Sequence, residues 1–167
     1  MKVYLDTCIL SRLVDLRVKD DQLDALEFIA SYEPAKLVTS PKTLEEFAKV
    51  SNSKRRKSLI VLFKIIEKVY AVPPVRKYSP LFGDMPWGVP FGSSGDLVEP
   101  PYDGLRKIFD DNDASHVYFA YKSGCDYFLT LDQATIIEAA NNNLAQVNSL
   151  IHPMKIVDPV RLRSEMR

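Results

Sequence analysis

The chain has 167 residues and a mass of 19.0 kDa, the size of one domain and too short for two full cores. Hydrophobic residues make up 46% and charged residues 26%, which excludes global disorder and lets a chain of this length bury roughly 70% of its unfolded surface. Lys plus Arg and Asp plus Glu both number 22, so no global field draws the protein to polyanions, and any nucleic-acid binding must rest on local patches.

Cys8 and Cys125 show no paired spacing, which points away from a disulfide scaffold or zinc knuckle and towards two buried, small apolar residues in a reducing cytoplasm. The longest apolar stretch, 58–72, is interrupted by Lys64, Glu67 and Lys68, and Lys2 and Asp6 interrupt the start. Neither a membrane span nor a signal peptide is expected.

Val3, Tyr4 and Leu5 predict a short strand, closed by Asp6 and Thr7 and followed by the helical spacing Ile9, Leu10, Leu13, Val14. A second amphipathic helix is expected from Leu23 to Ala30, then a strand over 36–39. Ser40 offers a side-chain cap and Pro41 suits the first helical position, so a helix carrying Leu44, Phe47 and Ala48 starts there. The stretch 53–72 reads as a helix with a cationic start, Lys54, Arg55, Arg56 and Lys57. Residues 73–101 hold seven of the eleven prolines and four of the six glycines, with Phe82, Trp87 and Phe91 between them, and are expected to form a long loop inserted in a single domain spanning 1–167.

Beyond it, Asp113 is expected to cap a helix carrying Ala114, Val117, Ala120 and Tyr121, with Gly124 as its stop. A buried strand over 127–131 ends at Asp132, a helix covers 134–150, and a last strand over 155–157 precedes Pro159 and a basic tail helix. Short apolar strands alternating with helices imply a parallel sheet covered on both faces, an α/β fold of three layers.

Asp6 and Asp132 each follow a short buried strand, and in open α/β sheets ligands bind beyond the carboxyl ends of the strands. Glu45 or Glu46, and Asp113, add acids near helix starts. Carboxylates converging at 4 Å repel by about 4 kcal/mol per pair at an effective dielectric of 20, so such a cluster takes up protons or a cation. An oxygen-only set without His or Cys favours Mg²⁺ or Mn²⁺.

These segments resemble the PIN-domain ribonucleases, which include toxins of VapBC-type toxin–antitoxin modules. Val3-Tyr4-Leu5-Asp6-Thr7-Cys8 is similar to the family's opening strand ending in Asp-Thr or Asp-Ser. Ser40, Thr43 and Glu46 match the second motif and select Glu46 over Glu45; Asp113-Ala114-Ser115-His116 with Ala120 and Gly124 resembles the third, and Phe128-Leu129-Thr130-Leu131-Asp132 the fourth. The resemblance implies a PIN-like α/β/α fold with a central parallel sheet. It also implies an endoribonuclease in which Asp6, Glu46, Asp113 and Asp132 hold Mg²⁺ or Mn²⁺ and are catalytic, with Thr7 and Thr130 orienting them. A homodimer, a small antitoxin partner and an RNA substrate are implied in the same way, and Lys54, Arg55, Arg56 and Lys57 are candidate RNA contacts. The long 73–101 segment departs from the compact toxin pattern and suggests a variant branch.

His116 reads as a hydrogen-bonded structural histidine. Two rival readings stand beside the nuclease: a catalytically inert PIN-like module that binds RNA or protein, and a metal-dependent phosphatase of the haloacid dehalogenase type. The phosphatase needs a second Asp where this chain has Cys8.

Overall fold

A computed structural model describes residues 1–70 and 100–166. Among the described residues four strands form one sheet: β1 (Lys2–Leu5), β2 (Lys36–Val38), β3 (Tyr127–Leu129) and β4 (Lys155–Val157), ordered β2-β1-β3-β4. All three pairings are parallel, with Tyr4 beside Val38 on one flank and Phe128 on the other. The chain steps outward from β1 to β2, then returns to β1's other side for β3. The order therefore reverses between β1 and β3, the place where an open α/β sheet forms its ligand crevice.

The helices are α1 (Thr7–Val14), α2 (Asp20–Ser31), α3 (Pro41–Ala48), α4 (Ser53–Tyr70), α5 (Pro100–Leu105), α6 (Asp111–Lys122), α7 (Glu138–Asn142), α8 (Leu144–Ile151) and α9 (Pro159–Glu165). Alternation along the strands sorts their side chains into two cores. Tyr4, Val38 and Phe128 pack with Leu105 of α5, Val117 and Ala120 of α6, and Val147 and Ile151 of α8. Val3, Leu5, Leu129 and Val157 meet Ile9 and Leu10 of α1, Ile29 of α2, Phe47 of α3, Phe63 of α4 and Leu162 of α9. The sheet is thus covered by helices on both faces, as the alternating pattern predicts. Tyr4 and Phe128, both fully buried, stack at 5.3 Å across the β1–β3 pair and tie the reversal point to one core.

Several boundaries differ from the sequence reading, each for a local reason. Asp110, not Asp113, caps α6: its carboxylate accepts from the backbone N–H groups of Asn112 and Asp113, leaving Asp113 inside the first turn. Ser40 occupies the position before α3, but its hydroxyl bonds the Tyr4 hydroxyl at 2.7 Å instead of capping the helix. The expected helix over 134–150 is broken. It begins as one wide π turn, Gln133–Ile137, in which the Ile137 N–H reaches the Asp132 carbonyl, and it is interrupted at Asn143. The Asn143 side-chain amide donates to the Ala139 carbonyl, which ends α7. Strand β3 stops at Leu129, and residues 100–101 open α5 where the sequence suggested the end of a loop. The rest of that predicted loop, with Phe82, Trp87 and Phe91, and the expected last residues of α4, 71–72, lie outside the described residues. Gly124 does close α6, at a φ of 66° that favours glycine.

Candidate functional site

A cleft of about 650 Å³ opens beyond the carboxyl ends of β1 and β3, and Asp6, Glu46, Asp113 and Asp132 all line it. Four segments far apart in sequence deliver them: the step from β1 into α1, the middle of α3, the first turn of α6 and the step out of β3.

Asp6 is buried and accepts from the Thr130 hydroxyl at 2.7 Å, while the Thr130 oxygen accepts from the Asp132 N–H at 3.0 Å. One buried threonine thus joins the two strand-end acids across the sheet. Asp132 accepts from the Thr135 N–H at 2.9 Å, and the Thr135 hydroxyl donates to Asp113 at 3.3 Å, which extends the connection to α6. Thr130 thereby fixes one oxygen of Asp6. Thr7 stands 3.4 Å from His116 Nε2 and 3.5 Å from the Thr43 hydroxyl, and its hydroxyl also bonds Glu46.

Glu46 is the acid of α3 that enters the cleft, whereas Glu45 points outwards with a loose 4.0 Å contact to Lys42. Glu46 accepts from His116 Nε2 at 2.9 Å and from the Asn112 side-chain amide. Because a carboxylate only accepts, Nε2 carries a hydrogen, and Nδ1 is hydrogen-bonded to the Tyr4 hydroxyl, 2.8 Å away. The Tyr4 hydroxyl also bonds Ser40, so one chain of hydrogen bonds joins Ser40, Tyr4, His116 and Glu46. His116 is buried and hydrogen-bonded, as the sequence suggested, and it also borders the cleft.

The electrostatics divide the acids. Burial works to raise the Glu46 carboxyl, but the hydrogen bond and charge of His116, with Thr7 and Asn112, outweigh it and hold the group at about 2. Asp113 moves the other way, to about 6, pushed up by burial and by the charges of Asp110, Asp6 and Asp132. Burial and the neighbouring Asp6 push the Cys8 thiol up; it sits 3.1 Å from the Thr130 hydroxyl and accepts from the Leu131 N–H, a packed and unreactive group.

The oxygen-only donors suit a hard divalent cation in kind, and the like charges that raise Asp113 are what a cation would relieve. Among the described residues, no group of three or more His, Cys, Asp or Glu side chains is arranged so that it could hold a metal ion. One oxygen of each aspartate is engaged by Thr130 or the Thr135 region, and Glu46 is held by His116 and Asn112.

The four candidate RNA contacts are not one patch. Arg55 forms a two-pronged pair with Asp15 at 2.7 and 2.8 Å and borders the cleft, and Arg56 donates to the Val50 carbonyl. Lys54 and Lys57 flank a separate shallow depression with Val61, Leu62 and Ile65. Sequence reasoning passed over Arg12, Arg17, Asn112 and Tyr4. Tyr4 has a local signal, as a hydroxyl in an otherwise apolar strand, whereas Asn112 reaches the site through Glu46, 66 residues away. No helix among the described residues is long and apolar enough to cross a membrane.

Comparison with protein-family models, with curated proteins and with solved structures finds no match to this chain.

Proposed function

We propose that the chain is a PIN-like endoribonuclease, dependent on Mg²⁺ or Mn²⁺, that hydrolyses RNA phosphodiester bonds in the cleft beyond β1 and β3. The observation that carries this reading is that the four acids singled out by the motif resemblance line one cleft at the sheet's reversal point. On the motif resemblance Asp6, Glu46, Asp113 and Asp132 would hold the cation, which requires them to draw closer than they stand, since no three such side chains among the described residues are arranged to hold one. When bound, it supplies charge neutralisation at the phosphoryl oxygens and a lowered pKa for the attacking water. The chain's own part is orientation: Thr130 fixes Asp6, the Thr135 N–H fixes Asp132, and His116 with Asn112 holds Glu46 ionised. A toxin role, a small antitoxin partner and a homodimer belong to this reading on the motif resemblance alone.

The inert RNA- or protein-binding module is the second reading, favoured by the absence, among the described residues, of three ligating side chains arranged for a metal. Two measurements separate them. A cation that binds only the folded state raises thermal stability, by about 2.7 kcal/mol at a concentration of 100 Kd. The nuclease reading expects Mn²⁺ to raise the Tm of metal-stripped protein, Asp6→Asn to lose that rise, and Mn²⁺-dependent RNA cleavage to disappear in Asp113→Asn. No Tm rise at millimolar Mn²⁺ and no cleavage would establish the inert module.

A further inference from the structure

Helix α1 ends in a Schellman motif: the Arg17 N–H bonds the Arg12 carbonyl at 2.9 Å and the Leu16 N–H bonds the Leu13 carbonyl at 3.3 Å. The turning residue, Leu16, has a φ of 54°, a left-handed conformation where glycine is usual, and its side chain is 92% exposed. This motif brings the third-last helical residue and the second residue past the cap side by side, and an apolar contact normally joins them. Here both are arginine. Arg12 and Arg17 line the same cleft as the four acids, yet neither forms an ion pair with any carboxylate among the described residues. Asp15, between them, is engaged by both prongs of Arg55; Arg17 helps to hold its carboxyl down without pairing with it. Three guanidinium groups against one carboxylate leave a local positive surplus inside a cleft that is otherwise acidic.

We infer that Arg12 and Arg17 form a phosphate grip that holds the RNA strand beside the acidic part of the cleft. Planar guanidinium forks match phosphate oxygens, and a phosphate placed between the two arginines relieves the repulsion that the turn imposes on them. This rests on the endoribonuclease reading for its substrate, and it moves the RNA contact from the Lys54–Lys57 run to the end of α1. The basic surplus and the acidic cluster then have complementary roles, one taking the strand's charge and the other taking a cation.

The test is binding of a fluorescein-labelled single-stranded RNA to the full chain in EDTA, followed by anisotropy across a KCl series. The double variant Arg12→Gln/Arg17→Gln is expected to bind about tenfold more weakly for each lost charge-assisted contact. Its plot of log affinity against log salt should be shallower by about 1.4, for two phosphates of a single strand. Arg12→Lys/Arg17→Lys, which keeps charge but not the fork, should keep the salt slope while losing affinity, and it guards against a folding defect in the first variant. Lys54→Gln/Lys57→Gln removes the same charge elsewhere and should bind as wild type. Unchanged affinity in the glutamine arginine variant, or equal weakening in both glutamine pairs, overturns the grip. Competition by a polyglutamate peptide at equal concentration also overturns it, in favour of a protein ligand. Wild type that grips RNA through the arginines but never cleaves it with Mn²⁺ leaves the grip standing and removes the nuclease reading.

Discussion

Neutralising Asp113 should stabilise the metal-free protein. Its carboxyl is raised from 3.8 to about 6 by burial and by Asp110, Asp6 and Asp132, so the folded state resists the ionised form more than the unfolded chain does. Below pH 3.8 the group is protonated in both states and Asp113→Asn changes nothing through charge. As the pH rises towards 6 the unfolded chain releases the proton first, and the folded state falls behind; above 6 the penalty is constant. The full shift corresponds to about 3 kcal/mol, and solvent screening of a half-buried side chain reduces this to ~1–2 kcal/mol. Asparagine keeps an acceptor for the Thr135 hydroxyl, so the bond at 3.3 Å is retained. Thermal unfolding of EDTA-treated wild type and Asp113→Asn at pH 4.5 and pH 7.5 measures the effect; at the higher pH the variant should have a Tm roughly 2–8 °C above wild type. A variant less stable than wild type at pH 7.5, or one with the same gain at both pH values, refutes an ionisation penalty at Asp113.

Tyr4→Phe keeps the stacking on Phe128 but strips His116 Nδ1 and the Ser40 hydroxyl of their shared partner, and calorimetry should show a loss of about 1–3 kcal/mol although the volume is conserved. Asp110→Ala removes the acceptor of two N–H groups at the start of α6 and should cost about 1 kcal/mol by denaturant melt. The same change removes a neighbouring charge, so the Asp113 carboxyl should titrate closer to its ordinary value, as read by NMR of the side chain. Leu16 and Gly124, both left-handed, should respond with opposite signs. Gly124→Ala meets open space yet costs about 1 kcal/mol through its φ, whereas Leu16→Gly relieves strain and raises Tm by a few degrees.

Local signals in the sequence were enough for the strands and most helices. Apolar runs bounded by acids mark β1 and β3, Pro41 marks the start of α3, and Gly124 marks the end of α6, because each acts through contacts within a few residues. The failures are also local in origin. Asp110 and Asp113 are equally good caps by residue type, and only the backbone's path selects Asp110. Nothing in the spacing of 133–143 announces a π turn and a break at Asn143.

The tertiary structure decided where the acids meet and what each of them is. Parallel strands present their carboxyl ends on one edge, and the β2-β1-β3-β4 order puts Asp6 and Asp132 on either side of its reversal. Glu46 and Asp113 have the same kind of carboxyl, yet one is held at about 2 and the other raised to about 6. Glu46 is held down by Asn112 and His116, 66 and 70 residues away, which donate to it, whereas Asp113 is raised by burial first and then by the charges of Asp110, Asp6 and Asp132. A residue's type sets what it can donate or accept, but its charge state depends on burial and on which groups the fold brings beside it.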